Sequence, residues 1–271
     1  MKIFAIIGSP RKRGNSEMGA RFLASLASAE SFQFVRLASK TIKDCRACYR
    51  CLEGSCPLED DYGLILEKIL EADGVIVAFP SYFFGENAAA KRFLDRGLQF
   101  YRHFETLRGK PAVGFVTAGM EFGEGYAKLA LDNMIERMGL ENRGTDVLYG
   151  ALPGEIFLRK ENFGKMEKLA GALTGGERVR REGEISCEVC GYSYFDFARE
   201  GTVSCLICGT RYEVKVSPEL SRIEGSGVHL FDLDKLVEHR QWLIGMKQRF
   251  LAVRDELKRV IAENLRPGEE I

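Results

Sequence analysis

Short apolar runs alternate with longer amphipathic stretches along the first two thirds of the chain. The runs are rich in β-branched residues and predict strands at residues 2–7, 32–37, 74–79, 112–117 and 143–148. The stretches between and after them predict helices at residues 16–27, 62–72, 88–100, 126–138 and 162–173. This alternation predicts one doubly wound α/β domain with a five-stranded parallel sheet.

The third predicted strand, Val75-Ile76-Val77-Ala78-Phe79, is apolar at every position rather than at alternate positions. A central parallel strand has this pattern because helices cover both of its faces. Ligands of such sheets bind outside the carboxyl ends of the strands. The loops that follow the strands are therefore the first places to look for a site.

The loop after the first strand has the residues that a phosphate group needs. It reads Gly8-Ser9-Pro10-Arg11-Lys12-Arg13-Gly14-Asn15-Ser16. Its glycines allow tight backbone paths, its polar and basic side chains supply donors and charge, and the following helix start presents unpaired N–H groups. The spacing matches neither the dinucleotide fingerprint nor the ATPase P-loop, which argues against both classes. An ordinary solvated turn with a helix cap is the alternative.

Two further loops lie at the same predicted edge of the sheet. The loop Pro80-Ser81-Tyr82-Phe83-Phe84-Gly85-Glu86-Asn87 carries three aromatic side chains on which a flat ligand could stack, although packing against the next helix would also explain them. The loop Thr117-Ala118-Gly119 offers small residues. A phosphate-type loop, an aromatic loop and a small-residue loop at one edge together predict a mononucleotide site for a planar ring.

The eight cysteines fall into two tight groups with none left over. The first group is Cys45-x2-Cys48-x2-Cys51-x4-Cys56. Its compact spacing is typical of an iron–sulfur cluster. Zinc or free redox thiols are the alternatives.

The second group is Cys187-x2-Cys190-x14-Cys205-x2-Cys208. Its two knuckles favour a tetrahedron of thiolates around one ion, either zinc in a structural ribbon or iron in a rubredoxin-like site. Residues 177–217 show no helical periodicity and are too few for a large core. We therefore expect a small module whose fold depends on its metal.

Composition and charge narrow the functional classes. The chain has 271 residues, 45% of them hydrophobic, and its 39 Lys and Arg residues balance 39 Asp and Glu residues. A neutral globular chain has no overall field that attracts nucleic acid or anionic membranes. A zinc-ribbon nucleic-acid-binding protein is a remote alternative, since Arg178, Arg180 and Arg181 form a basic patch. Neighbouring glutamates cancel the charge of that patch.

The remaining sequence features exclude further classes. His103, His229 and His239 are the only histidines, and all lie away from the predicted loops, which argues against a histidine-dependent hydrolase. No apolar run approaches the about 20 residues of a membrane span. The run at residues 3–7 is shorter than the core of a secretory signal. We therefore expect a cytoplasmic protein, a reducing setting in which thiols bind metals rather than form disulfides.

Residues 232–264 predict one long helix at the end of the chain. Apolar side chains recur at intervals of seven along it, in two offset rows: Leu236, Leu243, Phe250 and Leu257, and Met246, Val253 and Val260. Such a seam predicts either a dimer through paired helices or packing of the helix along its own protomer.

Several segments of roughly the first 150 residues resemble the NAD(P)H-dependent FMN reductases with a flavodoxin-like fold, and within them the iron–sulfur flavoproteins. These segments are GSPRKRGNS at 8–16, the cysteine run at 45–56 followed by Asp60-Asp61, EADGVIVAFPSYFFG at 71–85, KRFLDR at 91–96 and GKPAVGFVTAG at 109–119. The resemblance implies a sheet of order 2-1-3-4-5, FMN and a [4Fe–4S] cluster at the first cysteine group. It also implies a homo-oligomer, either a dimer or a tetramer.

The resemblance assigns FMN-binding roles to ten residues. Those at the phosphate are Ser9, Arg11, Asn15 and Ser16, those flanking the isoalloxazine are Pro80, Ser81, Tyr82 and Phe83, and those closing its far side are Thr117 and Gly119. Met120 stands where the family commonly has a glycine. Asp95 and Arg96 also match the family, but a helix-surface ion pair explains them equally well. No side chain receives a catalytic role, because the chemistry belongs to the flavin.

The leading interpretation is an FMN-dependent oxidoreductase that passes electrons between a reduced donor, NAD(P)H or ferredoxin, FMN and the cluster. The alternative is an NAD(P)H:FMN or quinone reductase without a cluster, whose cysteines are structural. The expected organisation is an FMN-binding domain at 1–176, a zinc-ribbon or rubredoxin-like module at 177–217 and a helical tail at 218–271.

Overall fold

The computed structural model describes residues 1–179, 185–199, 201–214 and 233–271. The chain divides into two compact units, Met1–Arg181 with Leu257–Ile271, and Glu182–Glu256. The predicted boundary between residues 217 and 218 lies outside the described residues, as do Arg180, Arg181 and His229.

The larger unit contains the parallel sheet. Its strands are β1 (Lys2–Ile7), β2 (Ser31–Arg36), β3 (Gly74–Tyr82), β4 (Gly85–Glu86), β5 (Pro111–Ala118) and β6 (Glu141–Tyr149). Its helices are α1 (Asn15–Leu26), α2 (Tyr62–Glu71), α3 (Ala88–Asp95), α4 (Phe104–Leu107), α5 (Ala127–Arg137) and α6 (Lys160–Leu173). Short 3-10 turns lie at Leu37–Ser39, Arg50–Leu52, Gly97–His103 and Glu155–Leu158.

The smaller unit contains a three-stranded antiparallel sheet of β7 (Phe195–Arg199), β8 (Thr202–Cys205) and β9 (Arg211–Glu213). Helix α7 (Leu233–Asn264) begins in the smaller unit and ends in the larger one. Strand β10 (Glu269–Glu270) follows it. Among the described helices, none combines the length and apolarity that a membrane span requires.

The order of the main sheet is β10-β2-β1-β3-β5-β6, and every neighbouring pair in it is parallel. Without the two short strands β4 and β10, this is the predicted order 2-1-3-4-5, so the flavodoxin-like fold is confirmed. The central position of β3 in the sheet explains why its sequence is apolar throughout. Val75 and Val77 join the hydrophobic core on one face of the sheet, and Ile76 and Ala78 join the core on the other.

Two predicted elements differ from the structure, and one strand of the structure was not predicted. Strand β3 runs on to Tyr82 and forms a tight hairpin with β4, where the sequence predicted a loop. The helix predicted to reach residue 100 ends at Asp95, because Gly97 favours helix poorly and the chain tightens into a 3-10 turn in which Gln99 N bonds Arg96 O at 3.2 Å. Strand β10 has no apolar pattern and escaped prediction.

The C-terminal part of α7 packs on its own chain. Leu257 and Val260 are buried, and Val260 belongs to the core on the α1 and α6 side of the sheet. Leu243, in the same heptad row as Leu257, is 53% exposed. Packing on the protomer therefore accounts for the end of the seam and not for its middle.

Candidate functional site

The carboxyl ends of β1, β3 and β5 meet at one edge of the sheet. Ile7 pairs with Ala78, and Pro80 pairs with Thr117. The three loops that the sequence singled out therefore leave the sheet side by side.

The first loop is packed tightly where it leaves β1. Gly8 N donates to Ala78 O at 2.8 Å, and a side chain at Gly8 would collide with Asn87 and Phe79. Further on, Gly14 N donates to Arg11 O at 3.0 Å. Gly14 caps α1 without a side-chain hydrogen bond to the helix. The N-terminus of α1 thus faces the loop with its peptide N–H groups available to an anion.

Two predicted phosphate residues of α1 are buried and bonded to other parts of the site. Asn15 Nδ2 donates to Gly150 O at 2.8 Å and to Leu152 O at 3.0 Å, and its Oδ1 accepts from Gly154 N at 2.8 Å. The Asn15 side chain therefore holds the loop after β6 in place.

Ser16 connects the first loop with the third. Its Oγ lies 3.1 Å from Thr117 Oγ1, and both residues are buried. The hydroxyl of Ser9 accepts from Arg11 N at 3.3 Å, and Arg11 itself is exposed. The structure thus brings Ser9, Ser16 and Thr117 to one end of the sheet edge, with Arg11 at its solvent side.

The second loop is a hairpin that presents its aromatic rings to solvent. Phe83 is 97% exposed, which contradicts the alternative that this ring packs against the next helix. Phe83 and Phe84 have φ angles of 49° and 65°, a left-handed turn that non-glycine residues rarely adopt. Ser81 Oγ donates to Gly123 O at 2.7 Å and so ties the hairpin to the third loop.

The third loop adds aromatic surface that the sequence did not signal. Phe122 is 83% exposed and also has a left-handed φ of 62°. Gly119 and Met120 lie exposed beside it in the chain. Tyr126 N donates to Phe84 O at 2.7 Å, which joins this loop to the hairpin a second time.

Two buried oxygen atoms at the end of the second loop have no hydrogen-bond partner within the described part of the chain. They are Asn87 Oδ1 and Glu86 Oε2. The amide nitrogen of Asn87 donates to Gly8 O at 2.7 Å, which fixes the side chain beside the first loop. Buried acceptors are nearly always satisfied, so these two indicate a ligand with donor groups. The sequence placed Asn87 at the end of the second loop and gave it no role.

The first cysteine group lies in a loop between β2 and α2 that two aspartates close. Thr41 N donates to Asp61 Oδ2 and Lys43 N donates to Asp60 Oδ2, both at 2.7 Å. We call residues 41–61 the cysteine loop. All four of its thiols are free, with those of Cys45 and Cys48 exposed.

One peptide N–H group of the cysteine loop donates to a sulfur atom. Ala47 N donates to Cys45 Sγ at 3.4 Å, and Ala47 and Tyr49 have left-handed φ angles of 48° and 59°. Burial and the neighbouring thiol of Cys56 raise the pKa of Cys51. Peptide N–H groups on thiolates and a compact set of four thiols are features of iron–sulfur sites.

Arg96 anchors the cysteine loop from its buried side. The explanation of this residue as part of a surface ion pair is therefore wrong. Its side chain is 2% exposed and pairs with Asp60, which is 1% exposed. Its guanidinium donates to Lys43 O at 3.3 Å and to Cys56 Sγ at 3.3 Å, and lies 4.6 Å from the centre of the Tyr62 ring. The other half of the expected pair, Asp95, is exposed and pairs with Lys91.

The protonation states of Asp60 and Tyr62 follow from their contacts. Burial alone would raise the pKa of Asp60, but the N–H groups of Lys43 and Arg96 outweigh it and lower that pKa. Burial raises the pKa of Tyr62. Asp60 is thus held as a carboxylate and Tyr62 as a neutral phenol beneath the loop.

The second cysteine group is built from two equivalent turns. In one, Gly191 N donates to Cys187 O at 2.7 Å and Cys187 N to Tyr192 O at 2.8 Å. In the other, Gly209 N donates to Cys205 O at 2.9 Å and Cys205 N to Thr210 O at 2.8 Å. Gly191 and Gly209 have φ angles of 77° and 78°, which glycine adopts freely.

The two turns bring all four sulfur atoms of the second group within 4.8 Å of one another. The Sγ atoms of Cys187 and Cys208, and those of Cys190 and Cys205, lie 3.5 Å apart. Although burial raises the pKa of Cys187, a hydrogen bond from the Tyr212 hydroxyl at 3.0 Å and nearby peptide N–H groups lower it to about 6. The four thiols therefore converge closely enough to hold one metal ion.

The first part of the chain is similar to known proteins. Residues 1–146 of the 271 match the NADPH-dependent FMN reductase family. The chain is 36% identical over 163 residues to an iron–sulfur flavoprotein of Archaeoglobus fulgidus, covering 58% of this chain and 72% of that protein. It is 40% identical over 99 residues to an iron–sulfur flavoprotein of Methanocaldococcus jannaschii, covering 35% of this chain and 51% of that protein.

A solved structure described as a flavone reductase has the same fold, with a TM-score of 0.59 and 17% identity over 97% of this chain and 96% of that one. The family match spans more than half of the chain, and the three loops and the cysteine loop lie within it. The chain therefore belongs to the NADPH-dependent FMN reductase family, in its iron–sulfur flavoprotein subgroup, and is a flavin-dependent oxidoreductase.

Proposed function

We propose that FMN binds at the carboxyl edge of the sheet, across the three loops. The observation that carries this placement is the pair of buried acceptors, Asn87 Oδ1 and Glu86 Oε2, which have no partner in the described residues. The ribityl chain of FMN offers several hydroxyl donors for such oxygens. The phosphate-type residues of the first loop and the exposed aromatic rings of the second and third loops match the two ends of the same molecule.

The phosphate end rests on the first loop. Ser9, Arg11 and Ser16 supply hydroxyl and guanidinium donors, and the N-terminus of α1 adds peptide N–H groups and the positive end of its dipole. Asn15 acts on the phosphate only indirectly, since its side chain is hydrogen-bonded to the loop after β6. Its contribution to the phosphate site is therefore the position of the helix start.

The ring end rests on the second and third loops. Tyr82 and Phe83 offer exposed faces for stacking, and Pro80 and Ser81 form the strand end beneath them. Thr117 and Gly119 border the site from the third loop. When bound, FMN supplies both hydride and single-electron chemistry, so the side chains need only bind and orient it.

We infer a [4Fe–4S] cluster at Cys45, Cys48, Cys51 and Cys56. The donor set fits, since four free thiols share one closed loop with an N–H group on a sulfur. A cubane offers each thiolate its own iron atom and so holds the sulfurs farther apart than a single ion does. Among the described residues, only the second cysteine group converges closely enough for a single ion.

We propose zinc for the second cysteine group, as a structural staple for the smaller unit. The sulfur separations of 3.5 Å suit a Zn–S distance of about 2.3 Å in a tetrahedron. A rubredoxin-like iron is the competing candidate, and the hydrogen bond from Tyr212 to Cys187 favours it, because such bonds stabilise thiolates around redox iron. Metal analysis decides between them.

We propose NAD(P)H as the electron donor, on the basis of the family, with reduced ferredoxin as the alternative. The exposed rings of Phe83 and Phe122 leave apolar surface for a nicotinamide ring to approach the flavin.

We also propose a homo-oligomer, since Leu243, Ile244 and Leu251 of α7 are more than half exposed. Light scattering of wild type and Leu243→Glu tests this assembly, and an unchanged monomeric mass in both would overturn it.

Anaerobic mixing of FMN-loaded protein with NADPH, NADH or reduced ferredoxin tests the proposed reaction. We expect NADPH to bleach the flavin absorption, and the variant Phe122→Ala to be slower with unchanged FMN content. Ser9→Ala with Arg11→Gln is expected to lose FMN, whereas Lys12→Gln in the same loop serves as the control. A wild-type chain that binds no FMN would contradict the proposal.

A further inference from the structure

Arg96 is the buried cation that touches a ligand of the proposed cluster. Its guanidinium nitrogen Nη2 donates to Cys56 Sγ at 3.3 Å, while Nη1 is held by Asp60 and by Lys43 O at 3.3 Å. The side chain is 2% exposed. The ring of Tyr62 closes the remaining face of the guanidinium at 4.6 Å. Four contacts, from the cysteine loop and from the first residue of α2, thus fix one planar fork.

The arrangement leaves the sulfur of Cys56 with a dedicated charged donor. Asp60 occupies one nitrogen of the fork and orients the other toward the sulfur. Burial keeps the charge from being screened by salt. Arg92, four residues earlier on α3, offers a contrast, because it is 50% exposed and pairs with Asp44 at 3.1 Å at the surface.

A reduced iron–sulfur cluster carries one more negative charge than the oxidised cluster. Hydrogen bonds to the ligand sulfurs and nearby positive charge stabilise the reduced state and raise the reduction potential. A negative charge acts in the opposite direction. Arg96 and Asp60 therefore influence the potential with opposite signs from adjacent positions.

We propose that Arg96 sets the reduction potential of the cluster held through Cys56, with Asp60 as its positioning partner and electrostatic opponent. This inference rests on the proposed [4Fe–4S] site in the cysteine loop. Closure of the loop does not require Arg96, since Asp60 and Asp61 already close it by accepting hydrogen bonds from backbone N–H groups. The role proposed for Arg96 is therefore separate from anchoring the loop.

An anaerobic redox titration of the full-length protein with dithionite and mediator dyes tests the proposal. Electron paramagnetic resonance measures the one-electron reduction of the cluster, and the flavin absorption of the same sample serves as an internal reference. The variants are Arg96→Gln, Arg96→Lys and Asp60→Asn, with Arg92→Gln as the control from the same helix.

Arg96→Gln is expected to shift the ratio of oxidised to reduced cluster at least tenfold at a fixed potential, which corresponds to a fall of about 59 mV. Asp60→Asn is expected to shift the ratio the other way, because it removes the opposing charge. Arg96→Lys should lie between wild type and Arg96→Gln, and Arg92→Gln should match wild type. The flavin reference should stay constant throughout.

Equal potentials in wild type and Arg96→Gln would overturn the proposal, as would shifts of the same sign in Arg96→Gln and Asp60→Asn. If Arg96→Gln retains no iron, Asp60→Asn decides, with a raised potential supporting the proposal and an unchanged or lowered one overturning it. Wild-type protein without iron and sulfide would instead refute the proposed cluster itself, a result visible before any variant is made.

Discussion

The two cysteine groups are held by opposite means. In the second group, each pair of cysteines sits in a turn whose hydrogen bonds span at most five residues, such as Cys205 N to Thr210 O. In the cysteine loop, the fixing contacts are longer in range, with Asp61 and Asp60 bonded to backbone 20 and 17 residues away and Arg96 bonded to Cys56 across 40 residues. One site is made by local backbone geometry, and the other by side chains of the core.

This difference matches the metals that we propose. Local turns bring sulfurs to 3.5 Å, as a single ion requires, and the ion in return holds a unit with little core of its own. The cysteine loop is closed by Asp60 and Asp61 on a domain that already has two hydrophobic cores. Its metal centre is therefore expected to serve electron transfer rather than folding.

The largest effect is expected from Cys205→Ser. Apparent binding energies of structural zinc are about 10–16 kcal/mol, so loss of a buried ligand should remove the ion and unfold residues 185–214. Limited proteolysis should cut the smaller unit while the FMN content stays at the wild-type level. If Cys205→Ser kept its metal and resisted the protease, the two cysteine groups would not differ in how their folding depends on metal.

Cys51→Ser tests the other side of the comparison. We expect loss of iron and sulfide with retention of FMN and of the second metal, because Asp60 and Asp61 close the loop without the cluster. Metal analysis and circular dichroism measure both properties. Collapse of the FMN domain in this variant would show that the loop, too, depends on its metal for folding.

Asn15→Ala tests whether long-range side-chain contacts also hold the FMN site. Three hydrogen bonds to the backbone of residues 150–154 would be lost, at about 1 kcal/mol each. We expect an unfolding free energy lower by about 3 kcal/mol and FMN affinity lower by about tenfold. Denaturant melts and fluorescence titration measure these, with half-buried Asn133→Ala as the control, in which values near wild type are expected because the side chain accepts only a local hydrogen bond from Arg137 among those described. An Asn15→Ala variant with wild-type stability would contradict the structural role.

The smallest effect is expected from Glu141→Gln, at the point where the chain leaves the FMN domain. Hydrogen bonding from Arg178 at 2.8 Å and from Arg143 at 3.0 Å lowers the pKa of Glu141 below 4.5 in spite of partial burial. Because the folded pKa is the lower one, the carboxylate stabilises the fold above pH 4.5, and this stabilisation disappears as pH falls through the lowered pKa.

For this partly exposed pair we expect a loss of about 1 kcal/mol or less at neutral pH. Thermal melts of wild type and Glu141→Gln should therefore converge in acid. The metal content of the second group should not change, because its turns are local. A pH-independent difference, or loss of that metal, would contradict the assignment.

The sequence predicted what local patterns encode. The apolar run of β3 reports burial on both faces, and the spacing of Cys187 and Cys190 with the following Gly191 reports a turn; the structure contains both. The loops at the sheet edge followed from the strand order, and the structure places them together.

The sequence did not reveal contacts made across the fold. Arg96 directly follows α3 and was explained as part of a surface ion pair with Asp95, and only the contacts with the cysteine loop and Tyr62 show that its side chain is buried. Asn87 received no role from the sequence, and its unpaired oxygen depends on the position of Gly8. Phe122 gave no signal, since exposure of an aromatic ring depends on what the fold leaves uncovered.

The most direct test of the two-centre account is an anaerobic preparation in which flavin, iron, acid-labile sulfide and zinc are measured on one sample. The account predicts one FMN, four iron, four sulfide and one zinc per chain, with the iron and sulfide lost together in Cys51→Ser and the zinc retained. Flavin and zinc without sulfide in the wild-type protein would contradict it. The cysteine loop would then be a structural element of a plain flavin reductase.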